Sequence, residues 1–480
     1  MSRRLNALTT QTGRWTASSQ RWKSKGAKWF LLAILLCGAA LTLFGGRPLP
    51  TVRAEGPISL AGRLLDPQGQ PVHGAEVVVR EGNRHPVAVA ESQANGGFIA
   101  NLPRGPFSPP LTVEIARSHF ESQEIEMEAD MVAHLNAGES LHLPDVELAR
   151  RITPGFWVAT LTFVSILVLI ALEKLHNTMA ALLGVAVVLG TSFVGGAINP
   201  NLFIFDFERA LEYVNFDVFF LVLGMMIVIG VIEETGIFQW LAYQAYRLSG
   251  GRGWLLVIIL MVITAVASAL LDNVTTMLLM TPMTIQIALA IGVPPLSLLL
   301  PEVLASNVGG ISTLIGTPTN ILIGSYANLT FNDFLRNLTP GVLMAMAVLI
   351  AYVLFIYRQK LFAQGEGLSE ALMERLKESG RITQPQKLTK SGVVFVAMLV
   401  LFVIGERFHL VPAVTAILGA VAMLLWVAPD IEEMLKVVDW TTLMFFIALF
   451  ILVGAIQEVG LISIIAAGIG QAVGDSLPAT

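Results

Sequence analysis

The sequence predicts a mainly α-helical, polytopic membrane protein with inverted repeats and a re-entrant hairpin, carrying a small extracytoplasmic all-β sandwich near its N-terminus. Hydrophobic residues fill 54% of the 480 positions and charged residues only 14%, against roughly 25% charged in soluble domains. From Pro154 onward the chain is a succession of apolar segments with short polar breaks. Within that succession Gly230, Ile232, Glu234 and Gly236 return as Gly454, Ile456, Glu458 and Gly460, each 224 residues later.

Composition also excludes whole classes of function. A net charge of −5 and a pI of about 5.9 offer no basic field for neutralising phosphates, so nucleic acid is not a partner. Seven histidines without ligand spacing and the single Cys37 rule out a thiolate cluster or an internal disulfide framework. No cofactor is expected and no catalytic constellation stands out, so the chain does not read as an enzyme. Leu35 and Leu36 stand where a lipoprotein site would want small residues, which leaves Cys37 as a small buried apolar side chain.

Residues 1–28 hold seven Lys or Arg and no acid, the mark of a cytoplasmic N-terminus. The segment 29–46 contains the apolar run Trp29 to Phe44, whose 16 residues fall short of the about 20 needed for a span. A cleavable signal ending near Val52, Arg53 and Ala54 and an uncleaved anchor both fit, and the long basic region favours the anchor. Residues 55–150 reverse the balance, with fourteen acids against six Lys or Arg and no spanning run. Strand-like stretches at 75–80 and 111–115 alternate with turn clusters at Asp66-Pro67-Gln68-Gly69 and Asn95-Gly96-Gly97. The spacing of Gly62, Asp66, Gly69, Pro71-Val72, Gly74-Ala75 and Val77 resembles the carboxypeptidase-regulatory-like β-sandwich family, whose modules serve as spacers or binding platforms.

The apolar segments fall at about 155–172, 178–198, 216–232, 254–271, 276–291, 296–326, 342–357, 393–404, 414–427 and 443–456. Basic residues gather at Arg247 and Arg252 and again in a linker, 358–391, which makes those loops cytoplasmic. That orientation requires the pair 254–291 to enter and leave by one face, as a re-entrant hairpin or as two full spans. The recurrence at 224 residues divides the membrane part into a first transporter repeat, 154–357, and a second, 392–480, inverted relative to it. Shifting Asn273 by the same 224 residues passes Thr480, so the second repeat reads as incomplete, and the chain as a fragment that transports poorly by itself.

Two polar breaks carry the chemistry. The first is Asp272-Asn273-Val274-Thr275-Thr276, a hairpin tip where half-helix ends leave backbone groups free. A carboxylate in lipid costs about 3 kcal/mol or more on insertion scales, which makes Asp272 a candidate for ion coupling. The second holds Glu302, then Ser306, Asn307, Gly309, Gly310, Thr313, Gly316, Thr317, Pro318 and Asn320. Glycines and a proline inside a long apolar segment read as a helix unwound within the membrane, tolerable where it lines a cavity. Carbonyl, Asn and Thr oxygens suit a hard cation such as Na⁺, with Asn273 and Asn307 as the candidate ligands, while exposed N–H groups suit an anion. Glu302 adds a carboxylate able to take and release a proton, though a pairing or interfacial role fits it as well. Glu233 and Glu234 read as solvated boundary residues.

Leu271-Asp272-Asn273-Val274-Thr275-Thr276, Glu302-Val303, Ser306-Asn307-Val308-Gly309-Gly310 and Gly316-x-Pro318-x-Asn320 resemble the motifs of the ion transporter superfamily. The branch is that of the P protein, arsenite permease relatives and NhaD-type sodium/proton antiporters, with citrate and dicarboxylate/sodium symporters as more distant kin. The resemblance covers roughly 155–480 and implies a hairpin tip and an unwound helix meeting at the ion and substrate site. One position departs: P-protein-like members commonly read Gly-Asp-Pro-Pro-Asn where this chain has Gly316-Thr317-Pro318-Thr319-Asn320. One carboxylate fewer favours an anion substrate. The function expected is secondary active transport, in a bacterial inner membrane, of a small inorganic or carboxylate anion coupled to Na⁺ or H⁺. Na⁺/H⁺ antiport is the alternative, a membrane-anchored receptor the alternative of another class, and a homodimer an option for assembly.

Overall fold

The computed structural model describes residues 58–82, 86–103, 105–327, 329–361, 374, 377–378 and 380–473. The basic N-terminus, the apolar run 29–46 with Cys37, and much of the linker 358–391 lie outside them.

Residues 58–148 form two sheets. One joins β1 (Ile58–Leu65) to β4 (Gly97–Leu102), with the short β7 (Leu141–His142) and β8 (Val146–Glu147) running parallel to β1. The other runs β3 (Pro86–Glu91), β2 (Glu76–Glu81), β5 (Leu111–Ala116), β6 (Gln123–Glu126), all antiparallel. Alternation decides the faces: Leu60 and Leu64 of β1 and Val113 and Ile115 of β5 are fully buried in a core shared with Phe98. The two predicted turns close as their side chains dictate. Asp66 Oδ1 accepts from the backbone N–H of Gln68 and Gln70, and Asn95 Oδ1 accepts from that of Gly97, with Gly96 at φ +76°. The expectation of an all-β domain needs one correction: Ala129–Asn136 is a helix, α1, which buries Val132 and Leu135 against the sandwich.

The membrane part is helical, and eight of its described helices are long and apolar enough to cross a bilayer. In chain order, the described helices of six residues or more in the membrane part are α2 (Pro154–Ala171), α3 (Asn177–Gly190, continuing to Ile198), α4 (Phe207–Glu212), α5 (Phe216–Glu233), α6 (Ile237–Ser249), α7 (Gly253–Leu270), α8 (Asn273–Ala290), α9 (Leu296–Gly310), α10 (Pro318–Tyr326), α11 (Phe331–Ile356), α12 (Pro385–Ile404), α13 (Pro412–Trp426), α14 (Ile431–Val437), α15 (Trp440–Glu458) and α16 (Leu461–Val473). The long predicted segment 296–326 is thus two helices, α9 and α10, separated by residues 311–317. Helix α6 is not among the predicted segments, because its amphipathic 13 residues hold no long apolar run; α16, apolar along most of its length, is not among them either.

The repeat is a structural one. Helices α4, α5 and α6 begin at 207, 216 and 237, and α14, α15 and α16 begin at 431, 440 and 461, each exactly one repeat later. Their contacts are reciprocal. A Cβ on Gly230 of α5 would meet Val437, and one on Gly454 of α15 would meet Tyr213; Tyr213 and Val437 are themselves equivalent positions. Likewise α5 packs on α13 of the second repeat, and α15 on α3 of the first. The copies run in opposite directions. Helix α5 starts beside α4, whose Arg209 touches His73 of the β domain, and ends at Gly236 against Arg381 and Thr383 of the linker. Helix α15 instead ends at the β domain, where Glu458 meets Arg117. The β domain and the linker therefore mark opposite faces of an inverted pair.

Candidate ion and substrate site

Helices α7 and α8 are joined by the extended pair Leu271-Asp272 alone, and Asp272 caps α8 by accepting the Thr275 N–H at 2.9 Å. Helix α9 runs back antiparallel to α8: Thr284 meets Glu302 at one end, and Asn273 meets Asn307 at the other. The tip does not reach the β-domain face. Helix α10 continues past it for nine residues, about 13 Å, and ends where Asn215 holds Ser325. The pair 254–291 is a re-entrant hairpin, the choice that loop counting had left open.

The two breaks meet at that tip. Asn273 Oδ1 accepts from the Ser268 hydroxyl, and Asn273 Nδ2 donates to Asn307 Oδ1 at 3.0 Å. Ser306 Oγ lies 3.0 Å from Ser268 Oγ and 3.5 Å from the Asn273 carbonyl. From the unwound stretch, Thr313 donates to the Ala269 carbonyl at the end of α7. Asn320 gathers the loop by donating to the carbonyls of Gly310, Ile311 and Thr313 at 3.1, 3.3 and 2.8 Å.

The glycines are required by proximity. A Cβ on Gly309 would press into the Ala265 backbone, one on Gly310 into Asn273 Oδ1, and one on Gly316 into the Gly310 carbonyl. Pro318 occupies the first turn of α10, where its missing N–H costs nothing. Thr317 caps the same helix by accepting the Asn320 N–H at 3.2 Å. Thr275 contributes its N–H to Asp272, and the Thr276 hydroxyl is buried with no partner among the described residues.

Four helix ends thus converge. The C-terminal ends of α7 and α9 turn the negative ends of their dipoles toward the break, which suits a cation, and the N-terminal ends of α8 and α10 turn positive ends toward it, which suits an anion. Glu302 lies one turn from Ser306 on the same face of α9, fully buried, and both its oxygens accept from the Thr284 hydroxyl at 3.0 and 3.2 Å. The pair of boundary glutamates needs revision. Glu234 is no solvated bystander: it pairs with Lys387 at 3.2 Å, and its carbonyl accepts from Thr383 at 3.0 Å.

Sequence reasoning missed Ser268, Ala269 and Thr284. The available signal was the spacing of Thr264 and Ser268, four residues apart and so on one face of α7. It also missed a polar joint at the β-domain face. There Glu458, 7% exposed, accepts from Arg117, Tyr213 and Arg209, and His119 bridges Thr153 and the Ile204 carbonyl.

A family model described as "Citrate transporter" matches residues 167–480, most of the chain and all but the start of the helical part. The chain belongs to the citrate transporter family. The β domain lies outside the matched region. Relatives within reach include an uncharacterized transporter of Mycobacterium tuberculosis, 36% identical over 323 residues that make up 67% of this chain and 73% of that protein. The human P protein is 31% identical over 378 residues, 64% of this chain and 44% of that protein. An uncharacterized transporter of Synechocystis is 29% identical, covering 66% and 68%. The family is one of transporters, the Mycobacterium tuberculosis and Synechocystis relatives carry that name too, and the helices make this member a multi-pass membrane protein.

Proposed function

We propose that this family member is a secondary active transporter that couples movement of a small inorganic or carboxylate anion to Na⁺ or H⁺. The observation that supports the reading is the meeting of the two breaks, where carbonyl ends and N–H ends of half-helices face one another around Asn273 and Asn307. Na⁺ is bound by the oxygens of Asn273, Asn307 and the adjoining carbonyls, the anion by the N–H groups that open α8 and α10. Asp272 and Glu302 carry the coupling charge. The β domain stands on the extracytoplasmic side and the linker in the cytoplasm. Na⁺/H⁺ antiport is the second reading, favoured by the buried, proton-accepting Glu302.

Proteoliposomes test both. In the full-length protein, anion uptake that needs a Na⁺ or H⁺ gradient and is lost in Asp272→Asn, with insertion retained, is expected. Glu302→Gln should move the pH dependence more than the substrate preference, since an amide cannot cycle a proton. Cation exchange at an unchanged rate when every candidate anion is withdrawn would select antiport. Transport indifferent to Asp272→Asn would overturn the site.

A further inference from the structure

A cavity of about 460 Å³ lies between the first turns of α5 and α13, the far part of α10 and the turn after α12. Both repeats line it. Its inner end is formed by Leu314 and Ile321, buried residues that are the chain neighbours of Thr313 and Asn320 in the break. Asp217, Glu406 and His409 stand exposed at its rim, and neither Lys nor Arg is among the lining residues. Asn332 Nδ2 donates to Glu406 at 2.9 Å and fixes that carboxylate in place. Inside, Thr415 is only 1% exposed and lines the cavity, so a polar side chain stands beside its apolar wall.

We propose that this cavity is the chamber through which a monovalent cation reaches the break from the β-domain face. The inference rests on the reading of the two breaks as the ion site. Two carboxylates at the mouth of a cleft with low-dielectric walls raise the local concentration of cations and lower that of multiply charged anions. The interior offers neutral oxygen and apolar wall, which suits an ion that sheds water readily; Mg²⁺, which dehydrates reluctantly, would not pass. The anion therefore does not share this entrance. The inverted arrangement explains the position of the chamber, since the first turns of α5 and α13 reach the same face and leave the break between them.

The test uses the full chain with Cys37→Ser and a reporter thiol at the inner end, Ile321→Cys. Two methanethiosulfonate probes, one bearing an ammonium and one a sulfonate, are applied to membrane vesicles from the β-domain face. The ammonium probe should react at least about tenfold faster, and Asp217→Asn with Glu406→Gln should bring the two rates to within about twofold. Raising the salt should shrink the ratio in the same direction. A reporter untouched from that face, or equal rates with the rim intact, would overturn the proposal. If Ile321→Cys fails to fold, Leu314→Cys at the same inner end gives the same readout. Labelling needs no transport: charge-selective entry combined with a cation dependence indifferent to Asn273→Ala would sink the ion-site reading and leave the chamber standing.

Discussion

Gly309→Ala puts the geometry of the break to its hardest test. A Cβ at that position would lie 2.6 Å from the Cα of Ala265 and 2.7 Å from its carbonyl carbon, where carbon atoms normally keep about 3.5–4.0 Å. Backbone cannot swing aside as a side chain would, so α9 must back away from α7 by about 1 Å. Three residues earlier on α9, Ser306 meets Ser268 of α7 at 3.0 Å, and beside it Asn307 meets Asn273 at 3.0 Å. The same displacement stretches both to about 4 Å, beyond hydrogen-bonding range.

Overpacking costs about 1–3 kcal/mol, and two lost hydrogen bonds about 1 kcal/mol each, so the native state should lose about 3–5 kcal/mol. A cation held by these oxygens should lose more than about tenfold in affinity, since each 1.4 kcal/mol is tenfold. Thermal unfolding of the purified chain in detergent, with Na⁺ exchanged against N-methylglucamine, reads both quantities, because a ligand that binds only the folded state raises its stability with concentration. Gly309→Ala should lower the midpoint and abolish the Na⁺-dependent rise. Gly341→Ala is the control: nothing lies within 4 Å of its Cβ position, in the middle of α11, so the midpoint should hold or increase. A wild-type Na⁺ increment in Gly309→Ala would refute the reasoning.

Three further outcomes are expected. Glu458→Gln leaves Arg117 without its counter-charge, and Arg209 with Glu212 alone, in a mostly buried joint and should cost about 3–5 kcal/mol, read as faster proteolysis between the β domain and α2; unchanged digestion would count against the joint. Gly230→Ala and Gly454→Ala, at equivalent positions facing Val437 and Tyr213, should destabilise by similar amounts, about 1–3 kcal/mol each; a cost at one position alone would speak against the two-fold arrangement. Burial lowers the His119 pKa below its ordinary 6.5, against the opposing pull of the Ile204 carbonyl and Glu458. The unfolded chain therefore takes up a proton at higher pH than the folded one. His119 contributes fully above pH 6.5, and its contribution fades as the pH falls through the lower folded value. His119→Gln should flatten that acid limb in a stability-versus-pH series, and an unaltered limb would refute the assignment.

How much of this was legible depended on contrast. Asp272, Asn273, Ser306, Asn307 and Asn320 are polar residues inside apolar runs, and their presence announced both the tip and the unwound stretch before any contact was known. Whether the tip stopped inside the protein or crossed it was not legible, because loop counting gives one answer for both. That depended on how far α10 extends beyond Asn307, a matter of packing. Ser268 escaped for the opposite reason: a serine in an apolar helix looks like filler until the hydroxyl that faces it, Ser306, is known. The joint around Glu458 was out of reach, since Arg117 lies 341 residues away in a separate domain.

The two repeats are alike in backbone and unlike in what holds their ends. Glu234 and Glu458 occupy the same place, at the end of α5 and of α15, one at the linker face and one at the β-domain face. Glu234 is tied by a single lysine, and that pair is 24% and 32% exposed, so it is worth about 0–1 kcal/mol. Glu458 is enclosed by two arginines and a tyrosine, with its own side chain 5% exposed. Burial pushes the Tyr213 hydroxyl up from its ordinary pKa, and Glu458 beside it adds to the shift, so the phenol stays protonated and remains a donor to that carboxylate. An inverted pair exchanges its two conformations when access alternates. Unequal tethers would make such an exchange asymmetric: among the described residues the linker face carries one part-buried ion pair and the Thr383 contacts, and it is expected to open at lower cost than the face the β domain holds.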